Sequence, residues 1–159
     1  MADDTKTGKY RGRKKDVAKL AKYSVDDYEF KFRGEIIDFN IFINMDITDI
    51  HNKELIIQQM NYYGSMVKML LPIYNQKIAR VEVKKGKWWA EAYHKVRLRM
   101  EKKGIDVTEK MLSNALIADV DYQTLLEKLH KLKYKYNLLE ALNNIVFMRE
   151  KLLNMHYRV

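Results

Sequence analysis

Residues 76–103 concentrate side chains that can bind phosphate groups. This segment holds ten Lys and Arg residues against three acidic ones, in a chain whose formal net charge is +9. Residues 34–75 hold the opposite balance, with two basic and five acidic residues. An excess confined to one segment indicates an anionic partner, because charge that serves only solubility does not need to be concentrated.

A helical arrangement of residues 71–103 separates these cations from the apolar side chains. At about 100° per residue, seven basic residues share one side of the helix. This row, called the basic stripe below, contains Lys77, Arg80, Lys84, Lys87, Lys95, Arg99 and Lys102. Trp88 falls within the stripe, whereas Trp89, Tyr93 and Val96 face the predicted core. The pattern predicts phosphate contacts by the cations and base stacking on Trp88, which a single strand permits better than a duplex.

Residues 80–90 allow two alternatives. Val81-Glu-Val83, a turn around Gly86 and Trp88-Trp89 can form a β-hairpin with a basic turn, which would present cations without a stripe. A charged outer face is also an ordinary feature of an amphipathic helix in water.

The first 23 residues form a second basic segment, with eight basic and three acidic residues. Few large apolar side chains lie among them, so we predict a disordered arm. Its candidate nucleic-acid contacts are Arg11, Arg13, Lys14 and Lys15. A purely solubilising arm is the alternative.

The elements that carry these residues are predicted to be mostly α-helical. Six Gly and one Pro are too few for the frequent turns of a sandwich or barrel. Residues 24–47 are predicted to form a small β-hairpin that turns at Gly34-Glu35, or an extended arm. Residues 48–159 form the predicted oligomerising, nucleic-acid-binding domain, a helical bundle. Its first helix begins at Thr48 or Asp49, and Pro72 is expected to kink or divide it.

The C-terminal part is predicted to contain a short helix and then the longest helix of the chain. Gly104 ends the preceding helix, Asp106-Val-Thr-Glu109 starts the short one, and the long one follows Asp119-Val-Asp121. Apolar residues in the long helix recur at alternating steps of three and four, a coiled-coil-like seam. We expect this seam to mediate oligomerisation through Leu125, Leu129, Leu132, Tyr136, Leu139 and Val146.

Motifs for catalysis, cofactors or metals are missing from the sequence. The chain has no Cys, its four His are scattered, and neither GxxxxGK[ST] nor GxGxxG occurs. We therefore predict no catalytic residue, no cofactor and no metal site. No apolar run approaches the roughly 18 residues of a membrane span, and the N-terminus lacks the apolar core of a secretory signal. A cytoplasmic protein is expected.

Four short motifs follow one another over roughly residues 46–155. Asp46-Ile-Thr-Asp49 leads into a helix, Arg80-Val-Glu82 and Lys95-Val-Arg97-Leu98 lie within the next helical segment, and Ala118-Asp-Val-Asp121 precedes the long helix. This order of elements resembles the UvsY family of phage recombination mediators. The resemblance implies a homo-oligomer, ring-like in this family, that binds single-stranded DNA. It also implies a DNA-contacting pair at Lys95 and Arg97.

The same resemblance implies a role in phage DNA recombination, repair and replication, in the host cytoplasm. Family members help load a RecA-like recombinase onto strands covered by single-strand binding protein. The alternative is an oligomeric structural or assembly protein, such as a virion or scaffold component, without nucleic-acid activity. A membrane-surface role is disfavoured because the apolar face of residues 71–103 is needed for a core.

Overall fold

The computed structural model describes residues 25–156, and within them the chain is mostly helical. The predicted arm, with Arg11, Arg13, Lys14 and Lys15, lies outside the described residues. The elements are β1 (Glu29–Phe32), β2 (Glu35–Asp38), α1 (Asn40–Asn44), α2 (Lys53–Lys102), α3 (Glu109–Ile117) and α4 (Val120–His156). Short 3-10 turns precede β1 and α2. The predicted fold class, mostly α with a small hairpin near the N-terminus, is confirmed.

The hairpin turns one residue earlier than the sequence indicated. Strands β1 and β2 pair antiparallel, from Glu29 opposite Asp38 to Phe32 opposite Glu35. Arg33 and Gly34 fill the two-residue turn with φ angles of 52° and 89°. Positive φ at both positions matches the right-handed twist of the strands, and glycine adopts it without a steric penalty.

The described chain divides into two compact units. The first contains the described residues up to Leu71 and those from Asn137 onward. Its core is aromatic, with Phe39 lying 5.6 Å from Phe30 and 5.4 Å from Tyr63 between ring centroids. Phe42 adds a third contact to the core, 5.5 Å from Tyr63. The hairpin and α1 therefore pack with the helices rather than forming an extended arm.

The second unit comprises Pro72–Tyr136. Ile78 and Val81 of α2 are buried against Leu129 of α4, with Leu125 and Tyr136 partly buried beside them. The described part of residues 48–159 contributes to both units.

Helix α2 is continuous over 50 residues, whereas α4 has 37, so the expectation that the C-terminal helix is the longest is wrong for the described residues. Helix α2 passes through Pro72, so of the two expected effects of the proline, a kink or a division of the helix, the division is wrong. Residues 80–90 are helical, which excludes the hairpin alternative. The helix ends as predicted: Gly104, at φ 68°, donates to the Glu101 carbonyl at 2.9 Å, and the Ile105 amide donates to Met100 at 3.2 Å.

Polar side chains cap the starts of three helical elements. Asp49 accepts from the His51 amide at 3.0 Å, at the 3-10 turn that leads into α2. Thr108, rather than Asp106, caps α3 by accepting from the Met111 amide. Asp119 accepts from the Asp121 amide at 2.8 Å, so it caps α4.

Candidate nucleic-acid interface

All seven residues of the basic stripe are exposed on the uninterrupted helix α2. At about 1.5 Å of rise per residue, successive members lie roughly 4.5–6 Å apart along the axis. The exception is the interval from Lys87 to Lys95, which spans two turns. A continuous helix was the condition for the stripe, and that condition is met.

Most cations of the stripe are not neutralised by a neighbouring carboxylate. Lys87 lies 3.9 Å from Glu91, and both side chains are mainly exposed. Lys77 lies over the ring of Tyr74, 4.7 Å from its centroid. The remaining five form no ion pair with any other residue of 25–156: Arg80, Lys84, Lys95, Arg99 and Lys102. Cations without a protein partner keep their charge available to phosphate oxygens.

Arg97 lies away from the stripe, unlike Lys95. Its Nε donates to Glu101 Oε1 at 2.9 Å. Hydrogen bonding by Glu101 raises the pKa of the Arg97 guanidinium above its ordinary value. Two positions apart on a helix are about 200° apart around it, so Lys95 and Arg97 cannot serve one strand from the same side.

A hydrogen bond joins the Arg97 side of α2 to α3. The Tyr93 hydroxyl donates to Glu109 Oε1 at 2.7 Å, and this bond raises the pKa of Tyr93 above its ordinary value. Because Tyr93 and Arg97 are four residues apart, they share this side of α2.

Trp88 is half-buried and less open than the sequence indicated. Its ring stacks on Tyr122 of α4, with centroids 5.3 Å apart and 29° between the planes. Trp89 contacts the same tyrosine at 5.2 Å. One ring face of Trp88 is therefore occupied within the protein, so a base can stack only from the other side. The sequence missed this because Tyr122 belongs to another helix.

An ion pair between helices was also missed. Lys133 Nζ of α4 lies 3.0 Å from Glu82 Oε1 of α2, and each side chain is about half exposed. Glu82 is one of three acidic residues in the basic segment, and this pair neutralises it. Sequence offers no signal for the pair because its residues are 51 positions apart.

The predicted oligomerisation seam packs inside this chain. Leu129, Leu139 and Val146 are buried. Leu125, Leu132 and Tyr136 are partly buried against the cluster that contains Ile78 and Val81. The alternating three-and-four spacing thus identified a helix contact correctly, but the partner is another helix of the same chain.

The described residues contain neither a cluster of metal ligands nor a membrane-spanning helix. Among residues 25–156, no group of three or more His, Cys, Asp and Glu side chains is placed to hold a metal ion. In the same part of the chain, no helix combines the length and apolarity needed to cross a bilayer.

No protein-family model, curated protein or solved structure matches this chain.

Proposed function

We propose that this protein binds single-stranded DNA through the basic stripe and acts as a recombination mediator. In that role it helps load a RecA-like recombinase onto strands covered by single-strand binding protein. The observation that carries the binding proposal is a continuous helix with exposed cations, five of which lack an ion-pair partner within residues 25–156. The mediator role rests on the resemblance to the UvsY family.

The charge arrangement favours a flexible strand. A straight row of cations can follow a backbone that adapts its own shape, while sequence readout in a duplex requires a helix that fits a groove. Lysines and arginines contact phosphates without distinguishing bases. Such a site binds any sequence, which suits a protein that prepares strands for a recombinase.

Binding, rather than catalysis, is the proposed activity, and no cofactor is needed for it. If several copies assemble, each weak stripe adds to the avidity of the whole, which can exceed one subunit's affinity by orders of magnitude. Many weak contacts also allow stepwise transfer of a strand. We place this activity in the cytoplasm, which is the host cytoplasm if a phage encodes the protein.

Charge reversal within the stripe tests the proposal. Lys84→Glu combined with Lys95→Glu should weaken binding to labelled oligo(dT) and to a mixed-sequence strand alike, by more than tenfold, in fluorescence anisotropy at low salt. Lys68→Glu combined with Lys110→Glu changes the net charge equally at exposed positions outside the stripe and serves as the control. Equal losses in both variants would mean that only net charge matters, and no loss in either would exclude the stripe as the site.

The second candidate is an oligomeric structural or assembly protein, and one observation favours it. Leu55, Tyr62 and Met69 recur every seven residues along α2 and are exposed by 51%, 49% and 40%. An exposed apolar row at heptad spacing is typical of a helix that packs on a second copy. Under this candidate, light scattering should show an oligomer while anisotropy shows no strand binding at low salt.

A further inference from the structure

The second unit places a second row of cations beside the basic stripe. Within this unit α2 and α4 run antiparallel. Val81 packs with Leu129, whereas Trp88, further along α2, stacks on Tyr122, which lies earlier in α4. Val81 of α2 and Leu129 of α4 therefore lie at the same level along the helix pair.

The ion pair between Glu82 and Lys133 marks one side of this helix pair. On α2, Glu82 lies about 70° around the helix from the buried face formed by Tyr74, Ile78 and Val81. On α4, Lys133 lies about 70° from the centre of the packed face formed by Leu125, Leu129, Leu132 and Tyr136. Their 3.0 Å contact shows that these two flanks are on the same side of the pair.

Helix α3 contacts the same side. Tyr93 is eleven residues after Glu82, so the two share a flank of α2 to within about 20°. The hydrogen bond from Tyr93 to Glu109 brings the start of α3 to that flank. The side marked by Glu82 is thus occupied by protein contacts.

The opposite flanks of both helices carry lysine and arginine. On α2, Lys77, Lys84 and Arg80 lie about 70°, 90° and 130° around the helix axis from the buried face. They are rotated in the direction opposite to Glu82. On α4, Lys128 and Lys131 lie about 70° and 130° from its buried face, in the sense opposite to Lys133. Two helices in contact have only two such sides, so these five cations share one.

The axial positions of the two rows also agree. With Val81 level with Leu129, Lys128 lies level with position 82 and Lys131 with position 79, beside Arg80 and Lys84. Lys128 and Lys131 are exposed and form no ion pair with another residue of 25–156. Packed helices are about 8–10 Å apart, so the two rows border a shallow groove.

Acidic residues limit this groove at one end. Asp121 lies on the same flank of α4, level with the Trp88–Trp89 part of α2, and Glu91 lies on the same flank of α2. The groove of unopposed positive charge therefore extends from about Lys77 to Lys84.

We infer that Lys128 and Lys131 form a second phosphate-binding row, and that a single strand lies in the groove between α2 and α4. This inference rests on the proposed function and deepens it. The strand's phosphates meet cations from both helices along the groove. Beyond the groove, toward Lys102, the strand meets the cations of α2 alone.

The test compares three double variants that each remove two charges. Lys128→Gln with Lys131→Gln removes the α4 row, Lys84→Gln with Lys95→Gln weakens the stripe, and Lys68→Gln with Lys110→Gln is the matched control. All three should melt at the temperature of the wild type, since the substituted side chains are exposed. Oligo(dT) affinity is then measured by fluorescence anisotropy over a series of salt concentrations.

The α4 variant should bind at least fivefold more weakly than the control. Each lost phosphate contact should also flatten the slope of log K against log salt by about 0.7, and two contacts by about 1.4. If the α4 variant matches the control while the stripe variant is weakened, the second row is refuted and the proposed function stands. If the wild-type protein binds no strand at low salt, both proposals fail.

Discussion

Trp88 and Tyr122 stack with ring centroids 5.3 Å apart, which joins the C-terminal half of α2 to the start of α4. Trp89 contacts the same tyrosine from the next position, so one side chain holds two adjacent indoles. Asp119, which caps α4 three residues earlier, fixes the start of the helix that presents Tyr122. The stack therefore positions the aromatic part of the candidate interface.

Removing the Tyr122 ring should destabilise the second unit. Tyr122→Ala loses both indole contacts and is expected to lower the free energy of unfolding by about 1–3 kcal/mol. Urea unfolding followed by tryptophan fluorescence measures the loss. Tyr122→Phe keeps the ring and should remain close to wild type. Equal stability of the alanine and phenylalanine variants would show that the stack contributes little.

Trp88 should report strand binding more strongly than Trp89. The variant Trp89→Phe leaves Trp88 as the single tryptophan, and Trp88→Phe leaves Trp89. Because Trp88 lies toward the stripe, oligo(dT) is expected to quench the tryptophan fluorescence of the Trp89→Phe variant. The fluorescence of the Trp88→Phe variant should change little. Quenching confined to the second variant would place the strand on the other side of α2.

The local features of the fold were predictable from sequence because they depend on nearest neighbours. Gly34 and the alternation of residues 28–33 indicated the hairpin, and Gly104 indicated the end of α2. The continuity of α2 was not predictable, because Pro72 opposes it locally. Packing of the helix on both sides of Pro72 outweighs the proline's local cost, and periodicity alone does not measure that packing.

Replacing Pro72 should raise stability. The proline supplies no N–H to the carbonyl of Lys68 and costs roughly 3 kcal/mol in a helix interior. Its side chain is exposed, so Pro72→Ala removes the cost without opening a cavity. Thermal unfolding should show a higher midpoint for alanine and a smaller gain for Pro72→Gly. A lower midpoint for alanine would indicate that proline is required for the native backbone at this position.

Arg149 is expected to be the most sensitive polar residue of the first unit. It is buried, its guanidinium carbon lies over the Phe42 ring at 4.8 Å from the centroid, and it donates to the Phe42 carbonyl. A second hydrogen bond reaches the Ile43 carbonyl at 2.8 Å. These carbonyls lie at the C-terminal end of α1, where a cation is also favoured by the helix dipole.

Arg149→Met should therefore lower the free energy of unfolding by about 2–4 kcal/mol, because buried carbonyls lose their donor. Arg149→Lys keeps the charge but not the planar fork, so an intermediate loss is expected. Denaturant unfolding compares the three proteins. A methionine variant as stable as wild type would contradict the assigned role of these bonds.

Lys95 and Arg97 should differ in their effect on strand binding. Lys95→Gln is expected to weaken oligo(dT) binding severalfold and to flatten the salt slope by about 0.7. Arg97→Gln should stay within twofold of wild type, because Arg97 is paired with Glu101 away from the stripe. A larger loss of affinity in Arg97→Gln than in Lys95→Gln would support the DNA contact by Arg97 that the UvsY resemblance implies. It would contradict the stripe as the main binding site.

The candidate site was predictable only as far as one helix extends. Spacing alone placed Lys84 and Lys95 on one exposed side of α2. It could not show that Tyr122 covers one face of Trp88, that Lys133 neutralises Glu82, or that Lys128 lies beside the stripe. Each of these depends on how α4 is rotated against α2, and an amphipathic pattern does not specify the partner it packs on.

The salt dependence of strand binding by the wild-type protein tests the central claim most directly. Oligo(dT) affinity, measured by fluorescence anisotropy across a salt series, should fall linearly on logarithmic axes with a slope between about −3 and −6, since about 0.7 is expected per phosphate neutralised. A slope near zero, or no binding at the lowest salt, would contradict the claim that the cations of α2 bind a polyanionic strand.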